Sequence, residues 1–441
     1  MQRIRFTLFF AAAYLNKFKS LIFSGIVVGI AVFFLFRQFS PFLFVEKERI
    51  GITGRYPVNN LPLDILNMLS EGLTSFDDFG NVVPSLAQKW ETPDKGKTWI
   101  FSLSDGIFWQ DGKRLVSQEI IYQFSDVKIE TPDEKTIVFK LDEPFSPFPG
   151  IVSRPTFRKG FLGTGKWKVK KIIVNGNFVQ ELIIENKGGE EGMRKQKIFR
   201  FYPSIDGTKL AFKLGEIDSI KDLIDPSPLD KWRNTEQSLE INKNQVVTIF
   251  FNTQDELLSD KSVRQALTYA LDKEKFMTRA LGPISPNSWA YNPQIKEYDY
   301  NVERAKELIE KIGKERTKKL KLASSPFLLN VAEKVAQDWR EIGLDVVIQV
   351  SSIIPSEFQT YLTVYEIPRD PDQYAIWHST QKSINISKYS DPRIDKLLED
   401  GRTLLEIEER RKVYLDFQRF LLEELPAAFL YHPVYYTIRR R

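Results

Sequence analysis

Runs rich in β-branched and aromatic residues, bounded by turn formers, recur along the chain. They fall at Arg49–Gly54, Trp99–Leu103, Thr136–Leu141, Lys166–Val174, Phe178–Glu185, Val246–Phe251, Lys318–Ala323 and Leu344–Val350, and they predict strands. Apolar residues spaced three and four apart predict helices over Pro62–Glu71, Asp260–Leu271, Glu274–Leu281, Val302–Lys311, Leu328–Ile342, Pro392–Leu404 and Ile407–Glu424. Asp260 is placed to cap the helix that follows it, and Gly282 and Gly313 read as helix stops. Lys318–Ala323, the next helix and Leu344–Val350 form a strand–helix–strand unit. A crossover helix of that kind joins parallel strands, so the class is α/β. The first half is strand-rich and the second alternates, with a boundary expected near residue 245.

One run is apolar on every side. Leu21 to Phe36 carries no charge, and as a helix it reaches about 24 Å, against a hydrocarbon layer of roughly 30 Å. Lys19 and Arg37 flank it and extend its reach by snorkelling. No small-x-small cleavage site follows, so residues 1–45 are expected to hold an uncleaved transmembrane anchor spanning about 20–37. Arg3, Arg5, Lys17 and Lys19 precede the run. The excess of positive charge keeps that end in the cytoplasm and places the large domain outside the cell membrane. Phe6–Leu15 is a second apolar stretch, too short to span, and reads as an interfacial helix.

Composition narrows the chemistry. The 441 residues are 42% hydrophobic, enough for two or three cores. Cysteine is absent, which excludes disulfides, thiolate zinc sites, a cysteine nucleophile and a lipidated cysteine. The net charge is +5, and Arg3, Arg5, Lys17, Lys19 and Arg37, all ahead of the first acid at Glu46, account for the whole surplus. The remainder is balanced, which argues against nucleic-acid binding. The two histidines, His378 and His432, belong to no HExxH motif, and no Gly-x-Ser-x-Gly elbow occurs. No enzyme activity, cofactor or metal is expected.

Several segments, taken in order, resemble the family 5 extracellular solute-binding proteins of ABC transporters, the oligopeptide, dipeptide and nickel-binding class. Gly72–Leu115 carries Val83-Pro84-Ser85-Leu86-Ala87, a Trp90-Glu91 step and a turn from Trp109 to Gly112. Gly163-Thr164-Gly165 and Gly215-Glu216-Ile217-Asp218 follow. The most specific match is Phe251–Phe276, and the last are Asp370–Asp372, Asn385–Leu398 and a closing helix ending LPAAFLYHP. The resemblance runs from about residue 48 to 435. It implies a type II periplasmic-binding-protein-like, two-lobed fold with a reduced third subdomain (about 79–155). The first lobe would span 46–245, the second 246–420, and 421–441 would return to the first. The subdomain is reduced because Ser117–Thr131 lacks the helical insertion usual in the family.

The same resemblance implies a monomeric receptor that closes around a peptide and delivers it to ABC permease subunits. Oligosaccharides and metal chelates stand as alternative ligands, and an envelope sensor or scaffold and a carbohydrate-binding or hydrolytic protein as alternative roles. In the segment YEIPRDPDQY, Glu366 and then Asp370 and Asp372 are candidates to pair with a ligand amine, although Asp-Pro pairs also suit solvated turns. Trp109, Trp289 and Trp377 are candidates to stack on a ligand, although such residues more often pack in a core. Asn252 is placed to hold a ligand amide or to cap a strand end. Gly163 and Gly165 read as a tight turn, with close backbone approach as the alternative.

Overall fold

Alternating burial along the strands and one-sided burial along the helices assemble the hydrophobic cores. They are seen in a computed structural model that describes residues 17–43, 45–186, 194–276, 278–312 and 319–441. The expectations for Arg3, Arg5, Phe6–Leu15 and Gly313 lie outside the described residues. The chain divides into two units, Met1–Leu61 with Lys166–Ile220, and Pro62–Gly165 with Lys221–Arg441. The chain crosses between the units after Leu61, Gly165 and Ile220.

In the first unit, the strand Val45–Thr53 runs parallel to Arg194–Tyr202 over its whole length. It also meets Ser219 and Ile220 in parallel register. Arg194–Tyr202 pairs antiparallel with Phe178–Asn186, which returns in a hairpin to Lys168–Asn175. The helix Ile205–Leu214 is capped by Ser204, whose side chain accepts from the Gly207 amide. It ends at Gly215, whose left-handed φ of 78° suits a residue without Cβ. The Gly215–Asp218 motif is structural: Ile217 is buried and Asp218 forms a 2.6 Å ion pair with Arg49.

This unit begins with the helix Lys19–Leu43, on which Leu21, Phe23, Val28, Phe33 and Phe34 all lie 60–72% exposed. Its described side chains run unbroken from Phe23 to Phe34, about 18 Å of helix. Among the described residues, no helix is long and apolar enough to cross a membrane. The transmembrane helix expected from the sequence is therefore not established by the structure.

The second unit holds a five-stranded mixed sheet ordered Val346–Val350, Leu320–Ser324, Thr360–Glu366, Gln245–Phe251, Ala427–Tyr431. The first two strands are parallel, as the strand–helix–strand pattern requires. Gln245–Phe251 is buried on both faces, which explains its unbroken apolar sequence. Val247, Ile249 and Phe251 join the core under the helices Lys261–Tyr269, Val302–Ile312 and Leu329–Glu341. Val246 and Phe250 join a second core with Trp377, Tyr414, Phe417 and Leu421. A separate antiparallel sheet, Ala87–Glu91, Thr98–Leu103, Thr136–Leu141 and Val127–Asp133, packs Phe101 and Phe139 against Phe148.

The helix expected over Glu274–Leu281 is replaced by a single turn at Lys273–Lys275. The cause is competition for its backbone. Ala280 donates its amide to Leu430 O, and Arg279 bridges to Tyr431, so the edge strand takes the groups a helix would use. Gly282 consequently ends no helix. Gly163 and Gly165 serve close approach: an added Cβ would lie 2.1 Å from Leu69 O and 2.5 Å from Met68 O.

Candidate functional site

The strand Thr360–Glu366 and the loop after it carry most of the residues singled out in the sequence. Glu366 ends that strand opposite Gln245, in register with Val364 opposite Val247. Residues two apart share a face of a sheet, so Glu366 and Gln245 sit on the face of Val247 and Val364. That face borders a cavity of about 240 Å³ lined by Val247, Val364, Phe276, Tyr431, Tyr435 and neighbours. Phe276 and Tyr431 stack at 4.5 Å and supply a flat aromatic wall.

A chain of polar contacts lies at its edge. The Tyr435 hydroxyl donates to Gln245 Oε1 at 2.6 Å, and the Gln245 amide donates to Glu366. His432 Nδ1 lies 2.7 Å from Gln245 O, and burial lowers the pKa of its ring. Glu366 remains solvent-exposed, yet surrounding protein displaces part of its water and raises its pKa; the Gln245 hydrogen bond opposes this only in part. Burial, then the charges of Glu366 and Asp222, push Tyr435 up to about 12. A carboxylate held in this state gains from a cationic partner, because the partner restores the solvation its ionised form lacks.

The two aspartates further along the loop are already paired. Asp370 accepts both terminal nitrogens of Arg410, at 3.0 and 2.6 Å, and the Asp372 amide at 2.9 Å. Asp372 accepts Arg402 Nε at 3.2 and 3.0 Å and the Tyr374 amide at 3.1 Å. Burial raises the pKa of Asp372, and Arg402 counters it. These pairs pin the loop to the helices Pro392–Thr403 and Ile407–Glu424. Gln373, fully buried, accepts from Tyr365 and from the Trp377 indole, both at 2.8 Å.

The aromatic candidates are spread apart. Trp377 is 1% exposed, packed on Phe250, Tyr365 and Phe429. Trp109 is 2% exposed in the small-sheet core and donates to Glu119. Trp289 is partly buried; its amide donates to Phe79 O, and Arg410 lies 5.4 Å over its ring. Asn252 closes the end of its strand, donating to Phe358 O and accepting from the Gln254 amide. Glu366 ends its strand, Asp370 and Asp372 lie in the loop that follows, and Trp377 ends the short helix Tyr374–Trp377, with Trp289 beside Arg410. Trp109 and Asn252 lie elsewhere. Sequence reasoning missed Gln245, Tyr435, Arg402 and Arg410. Arg410 alone had a signal, as a cation on the buried stripe of its helix.

With this geometry in view, comparison places the chain. Residues 81–362 match the model of the bacterial extracellular solute-binding proteins, family 5, and the chain belongs to that family. It is 24% identical to the oligopeptide-binding protein AppA of Bacillus subtilis (strain 168), covering 86% of this chain and 83% of that one. It is 22% identical to the dipeptide-binding protein of Escherichia coli (strain K12), covering 80% and 81%. Among solved structures, the ABC transporter substrate-binding protein CtaP of Listeria monocytogenes superposes with a TM-score of 0.75 at 20% identity, covering 89% of this chain and 94% of that one. NikZ of Campylobacter jejuni, solved with Ni(L-His), gives 0.72 at 22% identity over 90% and 94%. The fold is thus the mixed α/β fold of this family, and the protein is an extracytoplasmic solute-binding protein.

Proposed function

We propose that this chain is the peptide receptor of an ABC importer, acting as a monomer, not as an enzyme. Its helix Lys19–Leu43 would hold it to the membrane and its large domain would deliver captured ligand to permease subunits. The uncharged run Leu21–Phe36 and the exposed apolar side chains of that helix support the anchor. The names of the relatives support the ligand class, since they bind oligopeptides and dipeptides.

The observation that carries the reading is Glu366. Asp370 and Asp372 spend their charge on arginines, whereas Glu366 is exposed on the sheet face that borders the cavity, with the neutral Gln245 as its side-chain hydrogen-bond partner among the described residues. We assign it the amino terminus of the bound peptide, with the cavity wall of Phe276 and Tyr431 receiving an apolar side chain. Calorimetric titration of the purified full chain with Ala-Leu-Ala and with its N-acetylated form tests this. Saturable binding of the free peptide, weakened some 10–100-fold by acetylation and by Glu366→Gln, is expected. Equal binding of both peptides would remove Glu366 from the amine role.

A further inference from the structure

A second, larger cavity lies within the Pro62–Gly165 and Lys221–Arg441 unit, between the antiparallel small sheet and the helix Pro392–Thr403, and nothing above uses it. Its volume is about 760 Å³, within the roughly 300–1,000 Å³ of ligand pockets. Two features of its lining specify an occupant.

The inner surface is aromatic. Phe148 and Phe124 pack at 5.9 Å on one side, and Phe145 and Tyr374 lie beside Arg402. The Arg402 guanidinium sits 4.0 Å from the Tyr374 ring centroid and 5.0 Å from that of Phe145. The wall therefore already stabilises one cation through ring faces.

The rim is acidic. Asp126, Asp142, Glu143 and Glu399 line it, all exposed, and Arg402 is the one cation among the lining residues. Arg402 forms an ion pair with Asp372 at 3.0 Å, and that carboxylate balances its charge. Lys97 reaches Glu143 at 3.8 Å and donates to the backbone of Asp142, and His378 Nε2 lies 3.4 Å from Glu399, which leaves Asp126 and Asp142 without a basic side-chain partner among the described residues. Acids at the rim and aromatic rings in the wall together attract a cation that also carries apolar surface.

We propose that this cavity is a second ligand site, one that takes an organic cation borne on an apolar body. The proposal does not rest on the role of Glu366. Two sources share this chemistry: a free alkylammonium ion and the basic side chain of a peptide. The probes are hexyltrimethylammonium and acetyl-Leu-Lys-Leu-amide, whose blocked terminus leaves nothing for an amine site. The neutral acetyl-Leu-Gln-Leu-amide serves as control.

Titrating the full chain at low salt should give saturable binding of at least one cationic probe and none of the control. Binding of the ammonium ion alone identifies a free cation as the source; binding of the peptide identifies a side chain. The doubly neutralised Asp142→Asn, Glu399→Gln variant changes only exposed groups and should weaken binding about tenfold, at up to about fivefold for each charge. Raising the salt should weaken it further, because the rim is solvent-exposed. Thr403→Trp, at the cavity edge, should block the site without touching the core, and Glu366→Gln should leave it unchanged. Failure of both cationic probes to saturate, or binding indifferent to both the double variant and Thr403→Trp, overturns the proposal.

Discussion

Breaking the Asp370–Arg410 pair separates a loop-fixing role from a ligand role. Both side chains are nearly out of water, Arg410 7% and Asp370 13% exposed. Burial by itself lowers the pKa of Arg410, and the charge and hydrogen bonds of Asp370 more than reverse this, so the guanidinium is held firmly cationic. Unit charges about 4 Å apart attract by about 4 kcal/mol at an effective dielectric constant of 20, most of which offsets the cost of removing both from water. Removing one partner exposes that cost, about 3–5 kcal/mol. Asp370→Asn keeps the shape and the acceptor for the Asp372 amide, so the lower end is expected. Arg410→Met also loses the 3.0 Å donation to Gly401 O and the contact with Trp289, so the upper end is expected. The double variant leaves no unpaired charge and should cost less than the sum by about 2 kcal/mol. Urea unfolding followed by tryptophan fluorescence measures all four corners of the cycle. A coupling below about 0.5 kcal/mol would refute the argument that the pair is desolvated and mutually dependent. Calorimetry on the same proteins adds a second check: Asp370→Asn should retain peptide binding while folded, and selective loss of binding without loss of stability would make Asp370 a ligand group.

Three further outcomes follow from the same physics. Peptide affinity should fall as pH drops through the raised pKa of Glu366, starting above the usual value of 4.5, because the bound amine needs the ionised carboxylate; in Glu366→Gln, some 10–100-fold weaker at neutral pH, the profile should be flat when read by calorimetry between pH 7 and 4. Lys273 is buried, with its pKa lowered to about 8 by burial, so between pH 8 and 10.5 the unfolded chain holds the proton that the folded chain has lost. Stability should therefore rise with pH there, by roughly 1–2 kcal/mol up to pH 9.5, and urea midpoints of Lys273→Met should lack that rise. Arg264→Lys should cost about 2–4 kcal/mol in the same assay, since Arg264 is buried and its fork satisfies the carbonyls of Leu258, Ser259, Glu424 and Leu425, which one ammonium cannot reach together.

What could be read from the sequence follows from how local each cause is. Thr136–Leu141 and Ile407–Glu424 were legible to the residue, because alternation in one and three-four spacing in the other are written in the segment itself. The Asp260 cap was legible for the same reason, its side chain accepting from the Ser262 amide. Arg194–Tyr202 was not, because its basic residues break the apolar pattern and its extended form depends on a partner at Val45–Thr53, far off in the chain. Ala427–Tyr431 was read as the tail of a helix. The helix stops at Leu425 in a left-handed conformation with φ 52°, which no glycine announces, and Arg264 from a distant helix holds the carbonyls that the turn frees. The site divides along the same line. That acids cluster at 366–372 is a local fact, but which of them stays available is a tertiary one, set by arginines 30 and 40 residues downstream. Arg410 could have warned of this. It shares the buried face of its helix with Tyr414, Phe417 and Leu421, and a guanidinium on such a face must find buried acceptors, here the carboxylate of Asp370. At this loop the two arginines withdraw Asp370 and Asp372 from the list of ligand groups, and that withdrawal is the ground for proposing Glu366 as the acid that meets a solute.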